Sequence, residues 1–268
     1  MKVKYSKNSQ AMPTKSIQIT SDFFKKKDSI EIVWLGNAGI LINSYGTIIL
    51  IDPILEKEYN SLIDIPLDYD TLNIIDSILI THTDFDHCSI KTLKKLESKT
   101  KSIHSTYYVS QYLSQYNISS TPHNIYDEFK INNTLISLTK CNHTWQNDYK
   151  EYNYRVFKDE DCTGYLISVD NKKIWLPADT RLLDEHLSLK DIDLIFFDFS
   201  NDSWHMGFNN SVKLANNYPN TNLLCIHWGS IDEPNSLPFN ANPLDLNDKI
   251  SNPNRLLILY PGEIYKLK

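Results

Sequence analysis

The feature that most constrains this chain is a heptapeptide, Thr81-His82-Thr83-Asp84-Phe85-Asp86-His87, directly after the apolar, β-rich run SILIT at 77–81. His82, Asp84, Asp86 and His87 place four potential metal ligands within six residues at the end of a buried-type strand. Residues two apart at a strand end project to the same side, so His82 and Asp84 can share one ion while the turn carries Asp86 and His87 toward a neighbouring one. This spacing suits two adjacent metals better than one. An ordinary acidic loop, with Asp86 favouring the dipole of a following helix, would account for the carboxylates but needs no pair of histidines.

Around the motif the pattern is that of sheets with helices between. Residues 1–29 are polar and Lys/Ser-rich, with an apolar patch at Phe23 and Phe24, and are expected to form an irregular arm packed on a domain spanning 30–268. Runs 30–35, 39–42 and 47–51 predict a strand meander, broken by Gly36-Asn37 and by Asn43-Ser44-Tyr45-Gly46. Ser89 is placed to cap a helix through 97, with Ile90, Leu93 and Leu96 on one face. A second strand and helix are expected at 101–104 and 106–116. Further strands are expected at 135–139, 152–157, 164–169, 173–176, 194–199, 223–226 and 256–260, and helices near 182–189 and 210–218. No linker or internal repeat divides the chain, so the pattern predicts one α/β or α+β domain of two sheets with helices outside.

Composition narrows the function. The 268 residues are 41% apolar and 22% charged, which is enough to bury a core, and the net charge of -6 makes a nucleic-acid partner unlikely on electrostatic grounds. The seven glycines, at 36, 39, 46, 164, 207, 229 and 262, form neither a dinucleotide fingerprint nor a P-loop. Cys88, Cys141, Cys162 and Cys225 form no C-x-x-C pair and read as thiols in a reducing compartment. No apolar run reaches 18 residues and no apolar segment follows the basic N-terminus, so a cytoplasmic protein without a membrane partner is expected.

With these residues in view, the chain resembles the metallo-β-lactamase-fold metallohydrolases, whose central motif is usually written H-x-H-x-D-H. The segments IEIVWLGNAGILI and TIILIDP resemble that fold's opening strands and end at Asp52-Pro53. KCNHTW supplies His143, GYLISVDNKKIWLPADT ends in Asp179, and LLCIHWGS places His227 at a strand end, all in family order over about residues 30–230. The resemblance implies a four-layer αββα sandwich. It implies that His82, Asp84 and His143 hold one metal, that Asp86, His87 and His227 hold the other, and that Asp179 bridges them. The segment DSWHMGFNN resembles the ascorbate-phosphate-lactonase-like branch, where a histidine faces the cleft, here His205. Three departures stand out: Asp84 where histidine is commonest, Asn37 where close relatives often have histidine, and Ala178 where glycine usually precedes the bridging aspartate.

Two divalent ions roughly 3.5–4 Å apart can share a bridging hydroxide and polarise a carbonyl or phosphoryl oxygen, so a binuclear hydrolase acting on a small-molecule ester, lactone or phosphodiester is expected. Zinc, manganese or iron are the candidate ions. Asp84, Asp86, Asp179 and one hydroxide would neutralise two dications, leaving substrate anions less strongly attracted than at a two-aspartate site. The carboxylate at Asp84 also admits a di-iron redox enzyme, an oxygenase or oxidase, and the motif is shared by nucleases of this superfamily. Asp86 and His205 are the candidates for a catalytic role, and Asp52 for orienting a ligand histidine. His104, His123 and His186 are expected to be structural because nothing acidic or histidine-like recurs around them at ligand spacing. Cys88 is expected to be a small buried residue at a helix start. Trp145, Tyr149, Tyr152 and Tyr154 would roof the site or fill core. Specificity would come from 56–70, 105–133 and 145–161.

Overall fold

The computed structural model describes residues 2–57 and 60–268; residues 58 and 59, within the expected specificity segment 56–70, lie outside the described residues. The β-branched runs become strands as expected: β3 (Ile30–Gly36), β4 (Gly39–Ser44) and β5 (Thr47–Ile51) follow an N-terminal hairpin of β1 (Val3–Tyr5) and β2 (Ala11–Pro13). Tyr45 and Gly46, both at positive φ, form the two-residue turn joining β4 to β5, with Ser44 paired to Thr47. Next come β6 (Ser77–Leu79), β7 (Ile103–Thr106) and β8 (Thr121–His123), then β9 (Glu128–Ile131), β10 (Thr134–Thr139), β11 (Gly164–Val169) and β12 (Lys172–Leu176). The chain finishes with β13 (Leu194–Phe197), β14 (Asn222–Cys225), β15 (Leu256–Leu257) and β16 (Ile264–Leu267), and its helices are α1 (Ile90–Leu96), α2 (Tyr107–Ser114) and α3 (Phe208–Asn217).

Two seven-stranded sheets result, in the orders β16-β3-β4-β5-β6-β7-β8 and β15-β14-β13-β12-β11-β10-β9. Period-two alternation sorts each strand between layers. Ile30, Ile32 and Trp34 of β3 join the core that includes Ile136, Leu138 and Ile167 of the second sheet. Val33 and Leu35 face the other way, into a cluster with Leu93 and Leu96 of α1 and Val109 and Leu113 of α2. Leu214 and Ala215 of α3 pack with the second sheet's residues. The layers are therefore helix, sheet, sheet, helix, the αββα arrangement implied by the resemblance.

Several local expectations need correction. Residues 3–13 are a hairpin, with Val3 opposite Pro13 and with Val3 and Ala11 in the core. The expected strand at 152–157 is instead a short 3-10 turn, Lys150–Tyr152, followed by turns. Asn147 fixes that segment by accepting from the Phe157 N–H through Oδ1 and donating to the Phe157 carbonyl through Nδ2, which replaces a sheet partner. The helix expected near 182–189 is only a 3-10 turn, Asp184–Leu187, because His186 turns inward and donates to the Lys140 carbonyl. β8, β9 and β16 were not expected from the sequence. Among the described residues no helix is long and apolar enough to cross a membrane.

Candidate metal centre

The parallel pairings β5–β6 and β12–β13–β14, with β10 antiparallel to β11 and β11 antiparallel to β12, bring one set of carboxyl-terminal strand ends to one edge. Asp52 follows β5, His82 follows β6, His143 follows β10, Asp179 follows β12, and His227 follows β14. The sequence between β6 and α1 turns where the amides of His87 and Cys88 donate to the Asp84 carbonyl at 3.0 and 2.8 Å. Ser89 then caps α1 by accepting from the Thr92 amide, as its position predicts.

Each of four histidines has its Nδ1 beside an acceptor, which fixes the tautomer and leaves Nε2 to face the centre. His87 Nδ1 lies 2.9 Å from Asp52 Oδ2, His143 Nδ1 3.2 Å from the Trp204 carbonyl, and His227 Nδ1 3.1 Å from the Pro238 carbonyl. His82 Nδ1 lies 2.8 Å from Thr81 Oγ1, whose own proton goes to Asp52 Oδ2. Asp52 thus backs His87 directly and His82 through Thr81.

The Nε2 atoms converge on carboxylates. Asp179 Oδ2 is 3.0 Å from His87 Nε2, 2.9 Å from His205 Nε2, 3.5 Å from His227 Nε2 and 3.8 Å from His82 Nε2. Asp84 Oδ2 is 3.2 Å from His143 Nε2 and 3.5 Å from His82 Nε2, and Asp86 Oδ2 is 3.3 Å from His227 Nε2. His82 with Asp84 and His143, and Asp86 with His87 and His227, are each close enough to share a cation, as are His82, His87 and Asp179 between them. The buried His82 Nε2 has no hydrogen-bond partner among the described residues. An orphaned imidazole nitrogen amid carboxylates is a costly arrangement unless a cation occupies the centre, and the N and O donor set fits a pair of divalent ions.

Electrostatics point the same way. Burial pushes the Asp179 carboxyl up, but His227, His87 and His205 around it more than offset this and hold it well below the usual range. Against the same burial penalty, His82 and His143 hold Asp84 well down, and His87 and His227 bring Asp86 to about 2. Conversely, burial would lower His87 and His205, yet the neighbouring Asp179 raises both well above normal. His143 is lowered, chiefly by burial. These carboxylates are ionised, as ligands must be.

All the expected site residues meet at this edge. His205 adds a dyad, with Nδ1 2.7 Å from Asp202 Oδ2 and Nε2 on Asp179. Asn37 donates through Nδ2 to Asp86 Oδ2 at 3.1 Å, so the departure from histidine there supports a carboxylate. Ala178 adopts φ +61, the left-handed conformation that favours the usual glycine. Trp145 and Tyr149 line the cleft, whereas Tyr152 stacks edge-on behind Trp145 and Tyr154 is exposed.

Sequence reasoning missed several members. Asp198 lies with Asp179, His205 and His227, and Asp202, Thr81 and Gln146 support the ligands. Asp202 stands three residues before His205, a spacing the sequence offered. Outside the site, His186 is a buried structural residue and Cys88 a buried thiol pushed by burial to about 12. His104 and His123, expected to be structural, meet each other at 2.8 Å and stack on Phe129, away from the candidate centre.

The family described as Beta-lactamase superfamily domain matches residues 47–228. A UPF0173 metal-dependent hydrolase of Sulfurisphaera tokodaii is 23% identical over 246 residues, covering 88% of this chain and 99% of that protein. A protein of the same description from Saccharolobus solfataricus is 26% identical over 160 residues, covering 58% of this chain and 63% of its own length. Among solved structures, a metallo hydrolase from Ignicoccus hospitalis superposes with a TM-score of 0.69 at 18% identity, over 90% of this chain and 99% of that one. A diiron beta-hydroxylase from Streptomyces venezuelae superposes at 0.64 and 14% identity, over 96% of this chain and 55% of the other.

Proposed function

This chain belongs to the Beta-lactamase superfamily domain family, and on that premise we propose that it is a metal-dependent hydrolase with a binuclear centre acting on a small molecule. The supporting observation is the convergence of four imidazole Nε2 atoms, each fixed in tautomer from behind, on Asp84, Asp86 and Asp179. His82, Asp84 and His143 would hold one ion, Asp86, His87 and His227 the other, with Asp179 between. Bound divalent ions supply Lewis acidity that activates water and polarises the oxygen of the scissile group.

The chain's own residues do the rest. Asp52 keeps His87 and His82 in the ligating tautomer. Asn37 holds the Asp86 carboxylate. Asp202 fixes the ring of His205, which lines the cleft with its Nε2 on Asp179 and would carry a proton to a leaving oxygen once Asp179 is engaged by the ions. Trp145, Tyr149 and Trp204 wall that cleft and limit water.

A second reading, a di-iron redox enzyme, is favoured by one observation: the Asp84 carboxylate gives this centre an oxygen donor that suits iron and manganese. Metal analysis, an ultraviolet-visible spectrum and hydrolysis of p-nitrophenyl esters before and after chelation test both. Two metals per chain and ester hydrolysis lost on chelation are expected. Hydrolysis indifferent to chelation would refute its metal dependence, and oxo-bridged ferric bands with no hydrolysis would favour the redox enzyme.

A further inference from the structure

Beside the metal cleft lies a second, aliphatic groove, and the two share Phe85 and Asp86. Leu35, Ile54, Ile63, Ile65 and Ile231 line it. Gly36, at φ +107, lets Ile63 lie across its floor, since a Cβ there would meet Ile63 Cδ1 at contact-violating range. Phe85 stands at the junction, 70% exposed on the motif turn itself, with its ring 6.5 Å from that of Phe239. An exposed aromatic joining an aliphatic groove to a reactive centre marks a ligand surface.

Charge selects the ligand. Among the described residues neither groove is lined by lysine or arginine. Acidic side chains line both; of the two in the aliphatic groove, Asp86 belongs to the metal centre and Glu56 is paired outward with Lys91 and Lys95 at 2.8 and 2.7 Å. A phosphate-bearing substrate would find no fixed cation of the protein to meet it, whereas a neutral acyl compound loses little on entering.

We propose that the site takes neutral carboxylic esters or lactones, with the aliphatic acyl chain in the Ile54–Ile63–Ile65 groove and the alcohol portion against Trp145 and Trp204; this rests on the hydrolase reading. The step balances as hydrolysis. Water's oxygen bonds to the acyl carbon, the carbon–oxygen bond to the alcohol breaks, and a carboxylate, an alcohol and a proton leave.

The test uses metal-loaded protein with p-nitrophenyl acetate, butyrate, hexanoate and octanoate, and bis(p-nitrophenyl) phosphate as the phosphodiester. In parallel, methyl ketones of matching chain length are titrated and followed by tryptophan fluorescence. Both kcat/KM for the esters and affinity for the ketones should climb by about fourfold per methylene until the groove is filled. The phosphodiester should be much the poorer substrate. Ile54→Asn and Ile65→Asn, both at partly exposed positions and each checked for folding by circular dichroism, should at least halve that slope. A chain-length response that is flat in both series, or a preference for the phosphodiester, overturns the proposal and leaves the hydrolase standing. Chain-length-dependent ketone binding without turnover of any ester keeps the apolar-ligand assignment and overturns the hydrolase.

Discussion

Replacing Asp52 with Asn isolates the part of the centre that no ligand count reveals. Asp52 is 1% exposed, accepts from the Thr81 amide at 2.8 Å and from Thr81 Oγ1 at 2.5 Å, and faces His87 Nδ1 at 2.9 Å. Its φ of +43 is one that asparagine tolerates well, so the backbone should hold. Oδ1 can keep the Thr81 amide, but the new NH2 group then faces His87 and Thr81 Oγ1. His87 Nδ1 must become an acceptor, which moves its proton to Nε2 and removes the lone pair a metal needs. Losing one or two charge-assisted bonds at about 1.5–3 kcal/mol each should lower the stability of the metal-free protein by roughly 2–4 kcal/mol. Losing the orienting carboxylate should weaken metal affinity about 10- to 100-fold, or about 1.4–2.7 kcal/mol. Competition with a chelator measures the affinity, and urea unfolding of the metal-free protein measures the stability. If Asp52→Asn binds metal as tightly as the parent, Asp52 does not set the His87 tautomer and the description of the supporting shell is wrong.

Asp179→Ala should reduce metal content from two ions per chain to one or none by elemental analysis; an unchanged stoichiometry would refute bridging. Asp84→His should shift the metal retained from manganese or iron toward zinc in protein grown in a metal-balanced medium, because imidazole replaces an oxygen donor; an unaltered ratio would mean that Asp84 does not select the ion. Burial, with His123 adjacent, lowers His104 to about 4. Both folded and unfolded chains are neutral there above about pH 6.5, but as pH falls toward 4 only the unfolded chain gains the proton, so folding loses stability across that window, by about 3 kcal/mol if the full difference is realised. His104→Gln should flatten the urea midpoint difference between pH 7 and pH 4.5 relative to the parent, and an identical pH dependence would count against the pair.

The strands that were legible are those whose pattern depends on their own residues. The runs at 30–35, 47–51 and 164–169 are β-branched, apolar and bounded by turn residues, and they form strands at nearly those limits. β16 was not legible because Ile264, Tyr265, Lys266 and Leu267 become a strand only by pairing with β3, a partner more than two hundred residues away in sequence. The N-terminal hairpin has the same origin in part: Gln10 is buried because its amide reaches the Ile231 and Phe239 carbonyls. The 152–157 segment fails in the opposite sense, since aromatic content suggested a strand where the Asn147 side chain supplies the bonds a neighbouring strand would have given.

The site divides along a similar line. Its candidate ligands could be read because each stands at a strand end in a recognisable order, whereas the groups that make them fit for a metal come from elsewhere in the chain. Asp84 shows why the two must be considered together. As a sequence departure it adds one negative charge and an oxygen donor. In the fold that carboxylate accepts from Trp145 Nε1 at 2.7 Å and from Gln146 Nε2 at 3.0 Å, two donors from a segment about sixty residues on. A histidine at this position could not accept both bonds while also turning a nitrogen to the centre, because a neutral imidazole has a single acceptor nitrogen. The carboxylate is therefore matched to its surroundings: Gln146 holds Oδ1 and Trp145 holds Oδ2, which also faces His82 and His143. A histidine at 84 would thus change the ion at the cost of leaving Trp145 Nε1 or Gln146 Nε2 without its acceptor, which ties metal preference to the same aromatic segment that walls the cleft.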